Sequence, residues 1–180
     1  MLGDVVMTEE FNYRRAVPAD RAALQAMHRR SLLTLGRSHY SDGQLRGLLA
    51  TIDTVDDALL EDGTYIIAEQ AGRIVAAGGW TMQQPAYELK LGGAVSAPDR
   101  QATIRAVFVD PDFARRGLAR RIVEAAESEA VLLGGAERIG LVSTLTGLPF
   151  YRKLGYLSGA PVILPLTNGM IFPGRRLRKQ

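Results

Sequence analysis

Apolar positions along the chain change period several times, and each change marks an element. After a β-rich stretch at residues 13–17, Pro18-Ala19-Asp20 opens a helix. Its apolar positions, Leu24, Met27, Ser31 or Leu32, and Leu35, recur at three- and four-residue steps, and Gly36 stops it. Ser41 can cap a second helix through Leu48 and Leu49, and residues 54–60 add a further turn or two. Two β-rich runs, 64–70 and 73–82, are joined across Ala71-Gly72, which predicts a hairpin. Residues 83–100 hold two prolines and mixed polarity and read as a long loop. The run 102–109 is apolar enough for a buried strand, which Pro111 ends because proline has no N–H to donate. A helix is predicted over 117–133, with Ala119, Ile122, Val123, Ala126, Ala130 and Leu133 on one face and Gly134-Gly135 closing it. A strand at 138–142, a short helix at 146–154 stopped by Gly155, and strands near 162–164 and 170–177 complete the order. Residues 1–12 lack periodicity and are expected to be a loose leader, leaving 13–180 as a single α/β domain.

Composition narrows the function classes. With 47% hydrophobic and 23% charged residues in 180, the chain can bury one core of ordinary size. No apolar run approaches the ~18 residues of a membrane span, and Asp4, Glu9 and Glu10 stand where a signal peptide would be apolar, so a cytoplasmic protein without membrane contact is expected. The absence of cysteine removes disulfides, thiolate metal sites and an acyl-cysteine intermediate, and two histidines, His28 and His39, leave little for zinc; no metal is expected. Arg175, Arg176, Arg178 and Lys179 crowd the C-terminus, but no aromatic residues alternate with them as a nucleic-acid stacking platform would require. Positive charge on an edge strand is the simpler reading.

Two segments carry candidate chemistry. Val107 to Arg121, V-F-V-D-P-D-F-A-R-R-G-L-A-R-R, is a buried strand, a turn and a helix start containing Gly117 and Ala119. Free N–H groups at a helix N-terminus suit an anion, small residues let it approach, and Arg115, Arg116 and Arg120 add charge. The alternative is that Gly117 and Ala119 serve helix packing and the arginines are solvated. Neither a Walker loop nor a three-glycine dinucleotide fingerprint is present. The second segment, Leu148 to Tyr156, is a short helix running into a strand. Its Tyr151 reads either as a core aromatic or as a general acid toward a departing thiolate.

V-D-P-D-F-A-R-R-G-L-A resembles the acetyl-CoA-binding motif of the GNAT superfamily of N-acetyltransferases. F-Y-R-K-L-G-Y, about thirty residues later, resembles that superfamily's closing motif. The resemblance covers roughly residues 13–179. It implies a GNAT-like fold: a mixed, mostly antiparallel sheet of six to seven strands, splayed in the middle and flanked by about four helices. It also implies acetyl-CoA as co-substrate, with its pantetheine arm bonded to backbone near Phe108 and Val109 and its pyrophosphate held by the amides of Arg115, Arg116, Gly117, Leu118, Ala119 and Arg120. Tyr151 would then protonate the departing thiolate.

The pattern is not complete. Ala114 replaces the usual Arg or Gln, Thr146 replaces an asparagine and can still offer a hydroxyl, and Thr103 stands where many relatives place a glutamate base. Glu88, Asp99, Asp110 or a water chain are the remaining proton acceptors. His39, Tyr40, Trp80, Tyr87 and Glu88 are candidate acceptor-lining residues; His39 more often reads as a surface residue of a helix connection and Trp80 as core. The expected reaction is direct attack by a primary amine of a small molecule. A non-catalytic acyl-CoA-binding domain and a protein N-terminal acetyltransferase are the alternatives, and a homodimer is left open.

Overall fold

The computed structural model describes residues 10–83 and 100–179. Strand β1 (Asn12–Arg15) leads through a 3-10 turn into α1 (Arg21–Leu35), α2 (Asp42–Thr51) and α3 (Asp57–Glu61). The hairpin β2 (Tyr65–Gln70) and β3 (Arg73–Thr81) comes next, then β4 (Gln101–Val109), α4 (Leu118–Leu132), β5 (Arg138–Thr144), α5 (Leu148–Lys153), β6 (Leu157–Pro165) and β7 (Ile171–Lys179). The seven strands form one sheet in the order β1-β2-β3-β4-β5-β7-β6, antiparallel except where β4 runs parallel to β5. The expected α/β architecture is present, with five helices among the described residues rather than about four, because Asp57–Glu61 close a short helix of their own. The last two strands are longer than their apolar cores suggested: β6 is almost wholly exposed, so its ends carry no hydrophobic signal.

Local chemistry explains the ends of these elements. Ser41 accepts from the Gln44 N–H at 3.2 Å while the Gln44 side chain returns to the Ser41 N–H at 3.0 Å, a reciprocal cap that starts α2. Asp56 caps α3 by accepting from Ala58 N–H at 3.1 Å. Ala71 and Gly72 both have positive φ, 48° and 75°, as a two-residue hairpin turn requires.

The sheet is covered on both faces. α4 lays Leu118, Ile122, Val123, Ala126 and Ala130 against Ile66, Val75, Ala102 and Ile104. On the other face, Leu24 and Met27 of α1 pack with Val55, Leu59, Tyr65, Ile67 and Ala77. A third cluster joins Leu32, Tyr40, Leu45 and Leu48 to Leu166 and Phe172 at the far end. At 25 cal/mol for each Å² removed from water, every fully buried leucine or isoleucine here contributes about 1.5–3 kcal/mol.

Strand β4 departs from regular pairing at its middle. Its parallel pairing with β5 spans only Gln101↔Arg138, Ala102↔Ile139 and Thr103↔Gly140, after which the strands part. One extra residue in β4 opposite Ala77–Gly79 forms a bulge, with Ala106 at φ 52°. The bulge puts two consecutive residues on one face: Arg105 reaches Asp56 of the α3 cap, and Ala106 packs beside the α1 cluster, while Val107 turns to α4. Opposite it, Gly78 leaves room that a Cβ would fill, meeting Ile122 Cγ2 at 2.8 Å.

His28 is completely buried beneath this bend, its ring stacked on Phe108 with centroids 4.1 Å apart and its Nε2 3.4 Å from the Tyr65 hydroxyl. Burial pushes the imidazole from its ordinary 6.5 down to about 3, with the Thr54 backbone and Asp53 opposing. Between these values the unfolded chain takes a proton that the folded chain refuses. The stabilisation is therefore complete above about pH 6.5 and lost as pH falls toward 3, at up to about 1.4 kcal/mol per unit. Denaturant melts from pH 6.5 to 4.5 should show this loss in the parent and a flatter profile in His28→Phe, which keeps an aromatic ring against Phe108. Parallel profiles would show that His28 is protonated without cost.

Candidate active site

Parting of β4 from β5 opens the sheet, and a cavity of about 750 Å³ runs through the opening. One wall is the β4 segment from Ile104 to Val109, and the other is Val142, Ser143 and Thr144 of β5. On the α4 side it is lined by Ala119, Thr146, Gly147, Phe150 and Tyr151, and on the opposite side it reaches α1, α2 and the start of α3. The opening is built into the register: β5 continues to pair with β7 as far as Thr144↔Gly174, whereas β4 has no β5 partner after Thr103. Beyond Thr103 the facing edges of β4 and β5 do not pair with each other, so their backbone groups face the cavity.

At the α4 end the chain passes through two left-handed residues, Arg115 at φ 65° and Gly117 at φ 80°, before the helix starts. Gly117 is there for its backbone: a Cβ would meet nothing within 4 Å, but a side chain at this φ is strained. The first backbone bond into α4 is Arg121 N–H to Gly117 O at 3.1 Å, so the amides before it point outward from the helix start. Leu118 is buried, while Arg115, Arg116 and Arg120 are exposed around it. Arg116 lies over the Phe113 ring at 5.0 Å, and Arg120 reaches Glu124 at 3.2 Å. Phosphate groups are the anions such a loop can hold.

Asp110 braces the loop from below. It is buried, accepts from the Asp112 N–H at 3.1 Å and from Arg73 Nη2 at 2.5 Å, and has Arg30 of α1 at 3.3 Å. Burial alone would raise its pKa, but the Asp112 N–H and the Arg73 guanidinium outweigh burial and hold it below the ordinary carboxylate range. A carboxylate so committed is a poor proton acceptor, which argues against Asp110 among the bases the sequence offered. Thr103 is buried in the three-residue β4–β5 pairing and does not reach the cavity.

Tyr151 is buried on α5, edge-on to Phe150 (4.9 Å) and Tyr156 (5.5 Å), and lines the cavity. Thr146 lines it too, and its buried hydroxyl has no hydrogen-bond partner among the described residues. Phe108, Val109 and Ala119 complete the sequence-derived residues brought together here. Tyr40 lies in the wall at the other end, stacked on Phe172 at 4.0 Å. Its hydroxyl donates to Pro173 O and accepts from Leu145 N–H, both at 2.7 Å, so it holds the wall together. His39 is exposed beside Ser38, and Trp80 is buried on the α4 face with its indole N–H donated to Glu129 at 3.1 Å; neither lines the cavity. Tyr87, Glu88 and Asp99 fall outside the described residues.

Sequence reasoning passed over Asp53, Asp56 and Arg105, which line the cavity near α3. Asp56 and Arg105 pair at 2.6 Å with side chains only 13% and 11% exposed. An arginine inside an otherwise apolar strand, T-I-R-A-V-F-V, was the available signal; the bulge that aims it at the cavity leaves none.

A family profile described as Acetyltransferase (GNAT) family matches residues 25–156, from α1 to the start of β6. The chain belongs to that family. Solved structures with the same fold include a GCN5-related N-acetyltransferase from Rhodopseudomonas palustris (19% identity, 99% of both chains, TM-score 0.69). Another is the PaiA N-acetyltransferase from Thermoplasma acidophilum in complex with coenzyme A (12% identity, 95% of this chain and 99% of that one, TM-score 0.67). A third is a ribosomal-protein-alanine N-acetyltransferase from Brucella melitensis (15% identity, 93% and 98%, TM-score 0.60). No curated protein matches the sequence. Membership makes the chain an acyltransferase, and the splay between β4 and β5 is the part of its GNAT fold that opens a site. Among the described residues no helix is long and apolar enough to cross a membrane.

If phosphates sit on the α4 N-terminus, Gly117→Glu should set bulk and negative charge against them and weaken coenzyme A binding more than tenfold, read by calorimetry on the folded variant. Unchanged affinity would move the anion site elsewhere.

Proposed function

We propose that the protein transfers the acetyl group of acetyl-CoA to a primary amine of a small molecule, by direct attack while both are bound in the cavity through the sheet. The observation that carries this reading is the continuity of that cavity: one end reaches Ala119 in the first turn of α4, beside but not lined by Arg115–Leu118 and Arg120, the other is walled by α1, α2 and α3, and between them it passes the bulge. Its dimensions and chemistry suit the co-substrate. Facing strand edges offer backbone groups to an extended arm, and Thr146 offers a buried hydroxyl without a partner. Gly147 leaves a cradle in which a Cβ would press on Ser143 Oγ at 2.8 Å and the Tyr151 ring at 3.4 Å.

When bound, acetyl-CoA supplies an activated acyl carbon and a thiol as leaving group. The amides from Arg115 to Arg120 hold its phosphates, and backbone at Phe108 and Val109 orients the arm. An N–H on this stretch of β4 that is aimed at the carbonyl oxygen would contribute on the order of 3 kcal/mol to its activation. Tyr151 gives its phenolic proton to the departing sulfur as the C–S bond breaks, and the proton that the newly acylated nitrogen sheds restores the phenol through water. Walls on several sides favour a small amine over an extended peptide: Phe172 from β7, Leu48 from α2 and Leu32 from α1 enclose the acceptor end.

Tyr151→Phe should lower kcat ten- to a thousand-fold with coenzyme A affinity little changed, the pattern of a lost general acid. A thiol-release assay over amines, amino acids and peptides complements it, with small amines expected to react and rates to rise from neutral to mildly alkaline pH as the amine loses its proton. Equal turnover in variant and parent would assign Tyr151 to packing, and reaction with peptides alone would overturn the small-amine reading.

A further inference from the structure

With Thr103 out of the cavity and Asp110 locked to two arginines, the proton acceptor has to be sought on the other side of the bulge. The walls there are of two kinds. Leu32 and Leu35 of α1, Leu48 and Ile52 of and after α2, and Val55 are apolar; Asp53, Asp56 and Asp57 stand together at the approach to α3. Arg21 pairs with Asp53 at 2.6 Å and with Asp57 at 2.5 Å, and Arg105 pairs with Asp56. Three carboxylates against two guanidiniums leave these five groups with one net negative charge.

We infer that Asp56 anchors the ammonium group of the acceptor and takes its proton, and that the acceptor is an amphipathic primary amine whose apolar body lies against α1 and α2. This rests on the acetyl-transfer reading and names the substrate class it requires.

Position argues for Asp56 over its neighbours. Its carboxylate touches Arg105, the residue immediately before Ala106, and so lies one side chain from the point where the cavity crosses the sheet. Asp53 and Asp57 share Arg21 at the rim with side chains 43% and 66% exposed, whereas that of Asp56 is 13% exposed. An ion pair with both partners nearly dehydrated adds little to stability compared with apolar residues of the same size, and this one lines the cavity, where its charges can act on a ligand. Burial pushes the Asp56 carboxyl up, with Arg105 and the Leu59 and Ala58 N–H groups pulling the other way. Charged and titratable groups around it are Arg105 from β4, Tyr65 from β2, Asp57 beside it, Asp53, Arg21 from α1 and, behind Asp53, His28.

The step balances without a further reactant. A lone pair on an Asp56 oxygen takes the proton, the ammonium N–H bond breaks, and its electron pair remains on nitrogen as the nucleophile. The proton then leaves to water past the exposed Asp57, restoring the carboxylate.

Asp56→Asn tests this, because asparagine caps a helix as well as aspartate does and removes only the charge; Asp56→Ser, another good cap, is the second variant. The probe is phenethylamine, titrated calorimetrically into protein saturated with coenzyme A, together with kcat/KM for its acetylation across pH. Both variants should bind phenethylamine at least tenfold more weakly while coenzyme A affinity stays within twofold. The acid limb of the parent's kcat/KM profile should move to higher pH in Asp56→Asn, where only amine that has already lost its proton to solvent can react. Equal phenethylamine affinity in parent and variants, no phenethylamine binding to the parent, or an unchanged acid limb would overturn the inference and leave acetyl transfer standing. Failure of the parent to bind coenzyme A would overturn the acetyl-transfer reading, and this inference with it.

Discussion

Everything that sets this molecule apart from a closed sheet depends on the parallel pairing of β4 and β5 ending after three residues. Hydrogen bonds join Gln101–Thr103 to Arg138–Gly140, and beyond them each strand keeps only its antiparallel partner. A sheet does not leave such edges inside a domain without cost, since buried N–H and C=O groups lose their water. The bulge at Ala106 helps maintain the opening: it adds a residue to β4, bends the strand and puts Arg105 and Ala106 on the same face. His28 stacked on Phe108 fills the space behind the bend, and the missing Cβ at Gly78 lets α4 and the bulged strand come close in front.

The two ends of the cavity are electrostatically opposite, and different elements set each. Beside one end, where Ala119 lines the cavity, stands a helix N-terminus with three arginines around it. At the other end carboxylates near α3 outnumber the arginines paired to them. Between them the walls are largely apolar, so the field is less screened there than in water. Asp110 links the two ends mechanically, because it joins the loop before α4 to Arg73 at the start of β3 and Arg30 in α1. A change in the seating of α1 on the sheet would therefore be felt at the anion loop.

Much of this was legible in the sequence where the signal is local. The Ala71-Gly72 turn, the apolar face of α4 from Ile122 to Ala130 and the Ser41 cap are each written in a few neighbouring residues and stand where those residues say; Leu133, read onto the same face, lies past the end of α4 and is 75% exposed. The resemblance around Gly117 and Tyr151 also located one side of the cavity, since Ala119, Thr146 and Tyr151 all line it. What stayed hidden depends on three-dimensional pairing. A bulge in β4 has no marker in T-I-R-A-V-F-V, so the direction of Arg105 could not be read, and Asp56 lay unremarked in the stretch 54–60 that read only as a further turn or two of helix. Trp80 went to the α4 face through the alternation of β3, which the sequence does not number from either side.

The central claim, that the opened edge of β4 receives the co-substrate, is most directly tested by hydrogen–deuterium exchange of the full chain with and without acetyl-CoA. Slowed exchange at residues 105–109 of β4 and 115–120 before and within the first turn of α4, with β6 and β7 unchanged, is the predicted result. Protection confined to other segments, or none at 105–109, would contradict it.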